Sequence, residues 1–291
     1  MRRIFYFLAT NVAVLLVLSV VMKLFGLDYY LSSKGINYTS LLIFSAIFGM
    51  GGAFISLLMS KWSAKRMAGV RVIEQPTNDT EQWLMETVRR QAEAAGIGMP
   101  EVGVFDAPVV NAFATGASKN NALVAVSSGL LRAMNRDEAE AVIGHEITHV
   151  ANGDMVTLTL IQGVVNTFVI FFAKIAAFFI DSMLSRGEND HRPGIGYFVA
   201  DLLFQMLFGV LASMVVAWFS RQREFRADAG GARLAGKQKM INALERLKLA
   251  ADQPPLPDEM AAFGITGGKI AKLFSSHPPL DVRIEALQRS V

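Results

Sequence analysis

Four long apolar blocks limit what this chain can fold into. They cover residues 4–22, 38–58, 155–180 and 195–219, and only Lys174 and Asp201 bring charge into them. At a rise of ~1.5 Å per residue, a helix of such length crosses the ~30 Å hydrocarbon core of a bilayer. Only a helix or a closed barrel satisfies its own backbone there. The blocks account for a hydrophobic share of 52% in 291 residues. The first block has the look of a signal peptide, but Lys23-Leu24-Phe25-Gly26-Leu27-Asp28 offers no small-residue cleavage site. It is read as a retained span. The alternative for the third and fourth blocks is a buried helical hairpin in a soluble domain.

Charge at the block ends sets an expected orientation. Arg2 and Arg3 precede the first block, Lys61, Lys65, Arg66 and Arg71 follow the second, and Arg221, Arg223 and Arg226 follow the fourth. Those ends are expected in the cytoplasm, with both termini. Lys174 and Asp201 fall at similar depth in an antiparallel hairpin, so they are expected to pair; the alternative is that Lys174 snorkels outward alone. Gly49, Gly51 and Gly52 would permit close helix packing. The formal charge of +3 is too small, and too closely tied to the apolar blocks, to indicate nucleic-acid binding.

The remaining sequence reads as globular. Asn78-Asp79-Thr80-Glu81 opens an amphipathic helix over 82–95, ended by Gly96. Residues 102–105, 111–116 and 122–126 are strand candidates, and Ser127-Ser128-Gly129 breaks the last. Asn135 caps a helix, with Glu138 three residues on. Asn152-Gly153 ends that helix. After the fourth block the chain is expected to continue as a helix over 222–234, with further helices over 238–250 and 280–288 and loops at 254–257 and 264–268. The expected organisation is a two-helix anchor (1–60), a first half of a globular domain (61–154), a membrane hairpin (155–220) and the second half of that domain (221–291). The fold class is α+β, mainly α: four transmembrane helices with a discontinuous cytoplasmic domain containing a small β-sheet.

The helix ending at Asn152 carries His145-Glu146-Ile147-Thr148-His149. Imidazoles four residues apart leave one helical face about one turn apart, so both reach a single zinc ion. Glu146 then stands beside the water, placed to act as general base for peptide-bond hydrolysis. The chain has no cysteine and only four histidines, so a metal must be held by His, Asp or Glu. A catalytic zinc takes three protein ligands. A third histidine in an extended motif is excluded, because Asn152 and Met155 occupy the required glycine and histidine positions. Glu224 on a later helix is the other option, with Asp228 on the same face to accept an imidazole N–H. The competing reading of Glu224 and Asp228 is a solvated face paired with arginines.

His145-Glu146-x-x-His149, Asn152-Gly153-Asp154 and Glu224-Phe225-x-Ala227-Asp228 resemble the HtpX family of integral-membrane zinc endopeptidases, relatives of the CAAX prenyl proteases. The resemblance extends to Asn111-Ala112-Phe113-Ala114 and to the segment from His277 to Ile284, with no departure at the core motif positions. It implies that the discontinuous cytoplasmic domain is a zincin-like (gluzincin) catalytic domain with halves 61–154 and 221–291, with His145, His149 and Glu224 as ligands of one zinc ion per subunit and Glu146 as catalytic base. It implies quality control of misfolded or damaged membrane proteins, and a stress response, in the bacterial cell inner membrane.

Several residues keep two readings. His277 either starts the last helix or reaches the site, where it or Arg283 donates to the oxyanion. The strand at Asn111 is either an ordinary core strand or an edge that binds extended substrate. His191 is expected in a loop across the membrane and is given no metal role. A non-proteolytic zinc-binding membrane chaperone or scaffold subunit is the rival function; it predicts loss of the general base, yet Glu146 is present. A transporter predicts a polar pathway, for which Lys174, Asp201, Gln162, Asn166 and Gln205 are thin. Nothing in the sequence sets an oligomeric state.

Overall fold

The structure is a computed structural model, and it describes residues 37–184, 194–251 and 276–290, together with Val20, Lys23, Leu24 and Gly26. The expected first span, His191 and the loops at 254–257 and 264–268 lie outside the described residues, apart from Val20. The elements run α1 (Tyr38–Met67), β1 (Arg71–Val72), α2 (Asp79–Ala95), β2 (Glu101–Phe105), β3 (Ala112–Ser118), β4 (Asn121–Ser127), α3 (Ser128–Ala133), α4 (Arg136–Asn152), α5 (Asp154–Leu184), α6 (Ile195–Ala235), α7 (Lys237–Ala251) and α8 (Leu280–Arg289). The chain divides into two compact units. One comprises Met1–Ile55 and Thr159–Val216, the other Ser56–Leu158 and Ala217–Val291.

The first unit holds the apolar stretches of α1, α5 and α6. Among the described residues these three helices are long and apolar enough to cross a membrane. Phe198, Leu202, Leu203, Met206, Leu207 and Val210 of α6 are all exposed. An apolar surface of that kind suits lipid contact and would be costly in water. Helices α1 and α5 approach closely at Gly49, where a Cβ would stand 2.5 Å from the Thr167 backbone nitrogen. Gly51 and Gly52 face open space, so only Gly49 of the three expected glycines serves close packing. Lys174 Nζ lies 3.2 Å from Asp201 Oδ2. Lys174 also stands over the rings of Phe44 at 5.5 Å and Tyr197 at 5.9 Å. Pairing rather than solitary snorkelling is therefore the observed state of Lys174.

The second unit is built on a four-stranded mixed sheet of order β1-β2-β4-β3. β2 and β4 are parallel, with Gly103 opposite Ala125; β3 and β4 are antiparallel, with Ala114 opposite Val124. β4 lies between two neighbours and is buried over Ala122–Ser127, which explains its unbroken apolar run. β3 is an edge of the sheet. β1 was not expected, because two residues are too short to show alternation. Helices α2, α4, α7 and α8 supply the other side of the core, where Leu84, Val88, Val124, Ile143, Ile147 and Leu244 are buried. Helix α2 starts where the Asn78 side chain accepts from the Glu81 N–H, and ends at Gly96 in the left-handed conformation, φ 65°. One further difference from expectation is local. Ser127 does not simply break β4; its hydroxyl caps α3 by accepting from the Leu130 N–H. The helix expected to continue over 222–234 after the fourth apolar block does so, since α6 runs unbroken from Ile195 to Ala235.

Candidate metal centre

Helix α4 begins with a reciprocal capping box between Asn135 and Glu138, and Ala139, Ile143 and Ile147 bury its apolar face. It stops at Gly153, which adopts φ 65° while its N–H reaches the carbonyls of His149 and Val150. That left-handed turn suits glycine because a Cβ is disfavoured there. Helix α5 begins at once, and the Asp154 side chain returns to the helix just completed. Its Oδ2 lies 2.7 Å from His149 Nδ1.

Helices α4 and α6 meet through their smallest residues. A Cβ on Gly230 would stand 2.2 Å from Thr148 Cγ2, and one on Gly231 would stand 3.0 Å from the His145 backbone nitrogen. A Cβ on Gly144 would meet Gly231 Cα at 3.3 Å. This proximity lets a side chain from α6 join two from α4. Glu224 and Asp228, one turn apart on α6, both face His145.

His145 Nε2 and His149 Nε2 are 3.1 Å apart. Glu224 Oε2 is 3.4 Å from the first and Oε1 is 3.4 Å from the second. All three side chains are buried. A tetrahedral ion with bonds of about 2.0–2.1 Å sets its ligand atoms about 3.3–3.4 Å apart, so the donor set fits a small divalent cation. Two imidazole nitrogens in such proximity repel unless something positive lies between them.

The electrostatics agree. Burial disfavours charge on His149, but its hydrogen bonds with Asp154 and Glu224 outweigh this and lift its pKa to about 9. His145 is raised too: burial opposes its charge, while Asp228 and Glu224 favour it more. These carboxylates create a strongly cation-seeking pocket. Glu146, between the two histidines, is only half-buried by surface area. Desolvation still pushes its carboxyl above the ordinary carboxylate range.

A second ring of contacts surrounds the three donors. His145 Nδ1 lies 2.9 Å from Asp228 Oδ1. Arg283 of α8 grips the same carboxylate, with Nε 2.8 Å from Oδ2 and Nη2 2.6 Å from Oδ1. Its Nη1 is 3.5 Å from Glu224 Oε2. The guanidinium therefore faces Asp228 and Glu224. His277 Nδ1 is 2.7 Å from Glu224 Oε2, with its side chain 60% exposed. The structure thus gathers His145, His149, Glu224, Asp228, His277 and Arg283 at one place. Asn111 is exposed just before β3; its N–H donates to Ser127 Oγ at 3.1 Å and its carbonyl accepts from the Ser127 N–H at 2.9 Å.

Two residues of the site carried no assigned role in the sequence reading. Asp154 was visible only as the end of Asn152-Gly153-Asp154. Arg223 is buried beside Glu224 in sequence, and its Nη1 donates to the Asp154 carbonyl at 2.8 Å.

The sequence profile of peptidase family M48 matches residues 78–291. A protein described as Protease HtpX from Thioalkalivibrio sulfidiphilus is 60% identical over 293 residues, with 99% of each chain covered. A Protease HtpX homolog from Nitrosomonas europaea is 59% identical over 292 residues, again with 99% of each covered. Among solved structures, Ste24p of S. mikatae matches at a TM-score of 0.62 and 17% identity, over 93% of this chain. The chain spans 66% of that protein's length, and the likeness is one of fold. The motif residues, their convergence in space and these near full-length relatives lead to one assignment: the chain belongs to peptidase family M48, with the HtpX proteases, and is a multi-pass membrane metalloprotease.

Proposed function

We propose that this chain is a zinc endopeptidase in which His145, His149 and Glu224 hold one zinc ion and Glu146 is the general base. The observation that carries this reading is the donor spacing of 3.1 Å between the two Nε2 atoms and 3.4 Å from each to Glu224. When bound, zinc supplies a Lewis acid that lowers the pKa of a water to about 7 and polarises the scissile carbonyl.

The chain's own residues do the rest. Glu146 takes the proton of the attacking water and returns it to the leaving amine as the C–N bond breaks. Asp228 and Asp154 accept the Nδ1–H of His145 and His149, so each imidazole presents Nε2 inward. Arg283 orients Asp228 and acts through it, in place of the oxyanion role that sequence alone allowed. His277, exposed and touching Glu224, is the better candidate to donate to the oxyanion. The open edge of β3 suits an extended peptide added as a further strand, with Asn111 just before it. Edge pairing reads backbone, which fits varied substrates.

The setting follows from charge and connectivity. The first apolar block, residues 4–22, makes a fourth span beside α1, α5 and α6. Basic residues at the block ends put both termini and the catalytic halves, 61–154 and 221–291, in the cytoplasm of a bacterial cell, with 1–60 and 155–220 in its inner membrane. Asp154, which holds His149, is also the first residue of a helix that enters an apolar block. Membrane proteins, misfolded or damaged, are the substrates within reach of such a site.

Glu146→Ala tests the reading. The variant is expected to keep its zinc and to lose at least 100-fold in cleavage of a model membrane protein, on the order of a lost general base. Cleavage at the wild-type rate would remove Glu146 from the mechanism.

A further inference from the structure

Arg223 is only 6% exposed; the carboxylates of Asp154 and Glu224 favour its charge through space, but its hydrogen bonds go to neither. Its Nε has no hydrogen-bond partner. Both terminal nitrogens donate to neutral oxygens: Nη1 to the Asp154 carbonyl at 2.8 Å, and Nη2 to Ser220 Oγ at 3.0 Å. Burial outweighs those two charges, so holding the guanidinium here is costly, and a neutral side chain of similar volume would serve stability better. The arginine therefore calls for another explanation.

Its contacts supply one. Asp154 is held twice: its carbonyl by Arg223, and its carboxylate by His149 Nδ1 at 2.7 Å. Arg223 directly precedes Glu224, and Ser220 one turn earlier on α6 steadies its far end. One side chain thus fixes the backbone of Asp154 to the turn of α6 that carries Glu224, although the two lie 69 residues apart in sequence. We infer that Arg223 is a positioning residue, clamping Asp154 to α6 so that His149 and Glu224 meet at the separation a metal ion requires. The inference rests on the reading of His145, His149 and Glu224 as ligands.

The test uses the full-length protein in detergent, as wild type, Arg223→Met, Arg223→Lys and Ser220→Ala. Zinc affinity is measured by chelator competition, ligand geometry by the visible spectrum of the Co2+-loaded protein, and folding by the thermal midpoint of the metal-free protein. Loss of an outer contact of this kind weakens metal binding about 10–100-fold, and that is expected for Arg223→Met, with altered Co2+ bands. Arg223→Lys keeps the charge and one donor, so it should recover most of the affinity. Ser220→Ala should lose less, in the same direction. Wild-type zinc affinity and an unchanged Co2+ spectrum in Arg223→Met would overturn the inference, as would Arg223→Lys binding no better than Arg223→Met. Should Arg223→Met fail to fold, Ser220→Ala decides: weakened binding supports the clamp, and wild-type binding refutes it. A wild type that takes up no zinc, or Glu224→Ala binding as wild type does, counts against the ligand reading instead.

Discussion

His145 Nδ1 stands 2.9 Å from Asp228 Oδ1, and that carboxylate is at the same time gripped through both its oxygens by Arg283. A proposed metal ligand is thus tied to α8 through one buried acid. Asp228 stays ionised there: burial opposes its charge, but the bonds from Arg283 and His145 outweigh burial and hold its pKa below the usual range.

Asp228→Asn should therefore do two separable things. Zinc affinity should fall about 10–100-fold, because His145 loses the partner that fixes its tautomer. Stability should fall as well, since Arg283 is left buried without its main counter-charge. In the double variant Asp228→Asn, Arg283→Met, stability should recover and zinc affinity should not. Chelator competition and denaturant unfolding, run on both variants, check the split; joint recovery of both properties would contradict it.

The approach of α4 to α6 depends on Gly230, where an added Cβ would meet Thr148 Cγ2 at 2.2 Å and Oγ1 at 2.4 Å. Thr148 cannot simply rotate away without cost, because its hydroxyl donates to the Gly144 carbonyl at 2.7 Å. Gly230→Ala should cost about 1–3 kcal/mol of unfolding free energy, the usual range for overpacking, and weaken zinc binding. Adding Thr148→Ala should return part of the loss. The measurement is a double-mutant cycle of stability; additive effects would mean that the helices do not meet there.

Away from the site, Glu81 locks the start of α2. Thr77 donates to it through its backbone N–H and its hydroxyl, both at 2.9 Å, and Arg71 Nη2 lies 2.6 Å away. The Thr77 backbone bond, then the Arg71 bond, lower its pKa from 4.5 to about 2. A depressed acid contributes stability above its unfolded value and loses it as pH falls through the folded one. That contribution should be complete above about pH 4.5 and fade towards pH 2. Glu81→Gln should be less stable at neutral pH, and the gap to wild type should close over that window. Unfolding in detergent, followed at several pH values, checks this; a gap that stays constant down to pH 2 would refute it.

Local features were legible in the sequence because they depend on neighbours along the chain. The Asn135–Glu138 box, the His145 and His149 pair and the α2 caps each lie within one or two helical turns. That Glu224 lies with the two histidines could be expected because zinc chemistry demands a third donor and few candidates existed. Asp154 was harder: its contact with His149 follows the left-handed turn at Gly153, a backbone property that a motif does not display. The grip of Arg283 on Asp228 spans 55 residues, and only the packing of α8 brings it about. The same holds for Gly49, which touches Thr167, whereas Gly51 and Gly52 do not differ from it in sequence terms.

The zinc-to-protein ratio of Glu224→Ala tests the central claim most directly. Wild type, Glu146→Ala and Glu224→Ala are purified in parallel, dialysed against the same buffer, and their zinc is measured by elemental analysis. The account predicts one zinc per chain in the first two and a large loss in the third, where the donors 3.4 Å from both histidine nitrogens are gone. One zinc per chain in Glu224→Ala would contradict it.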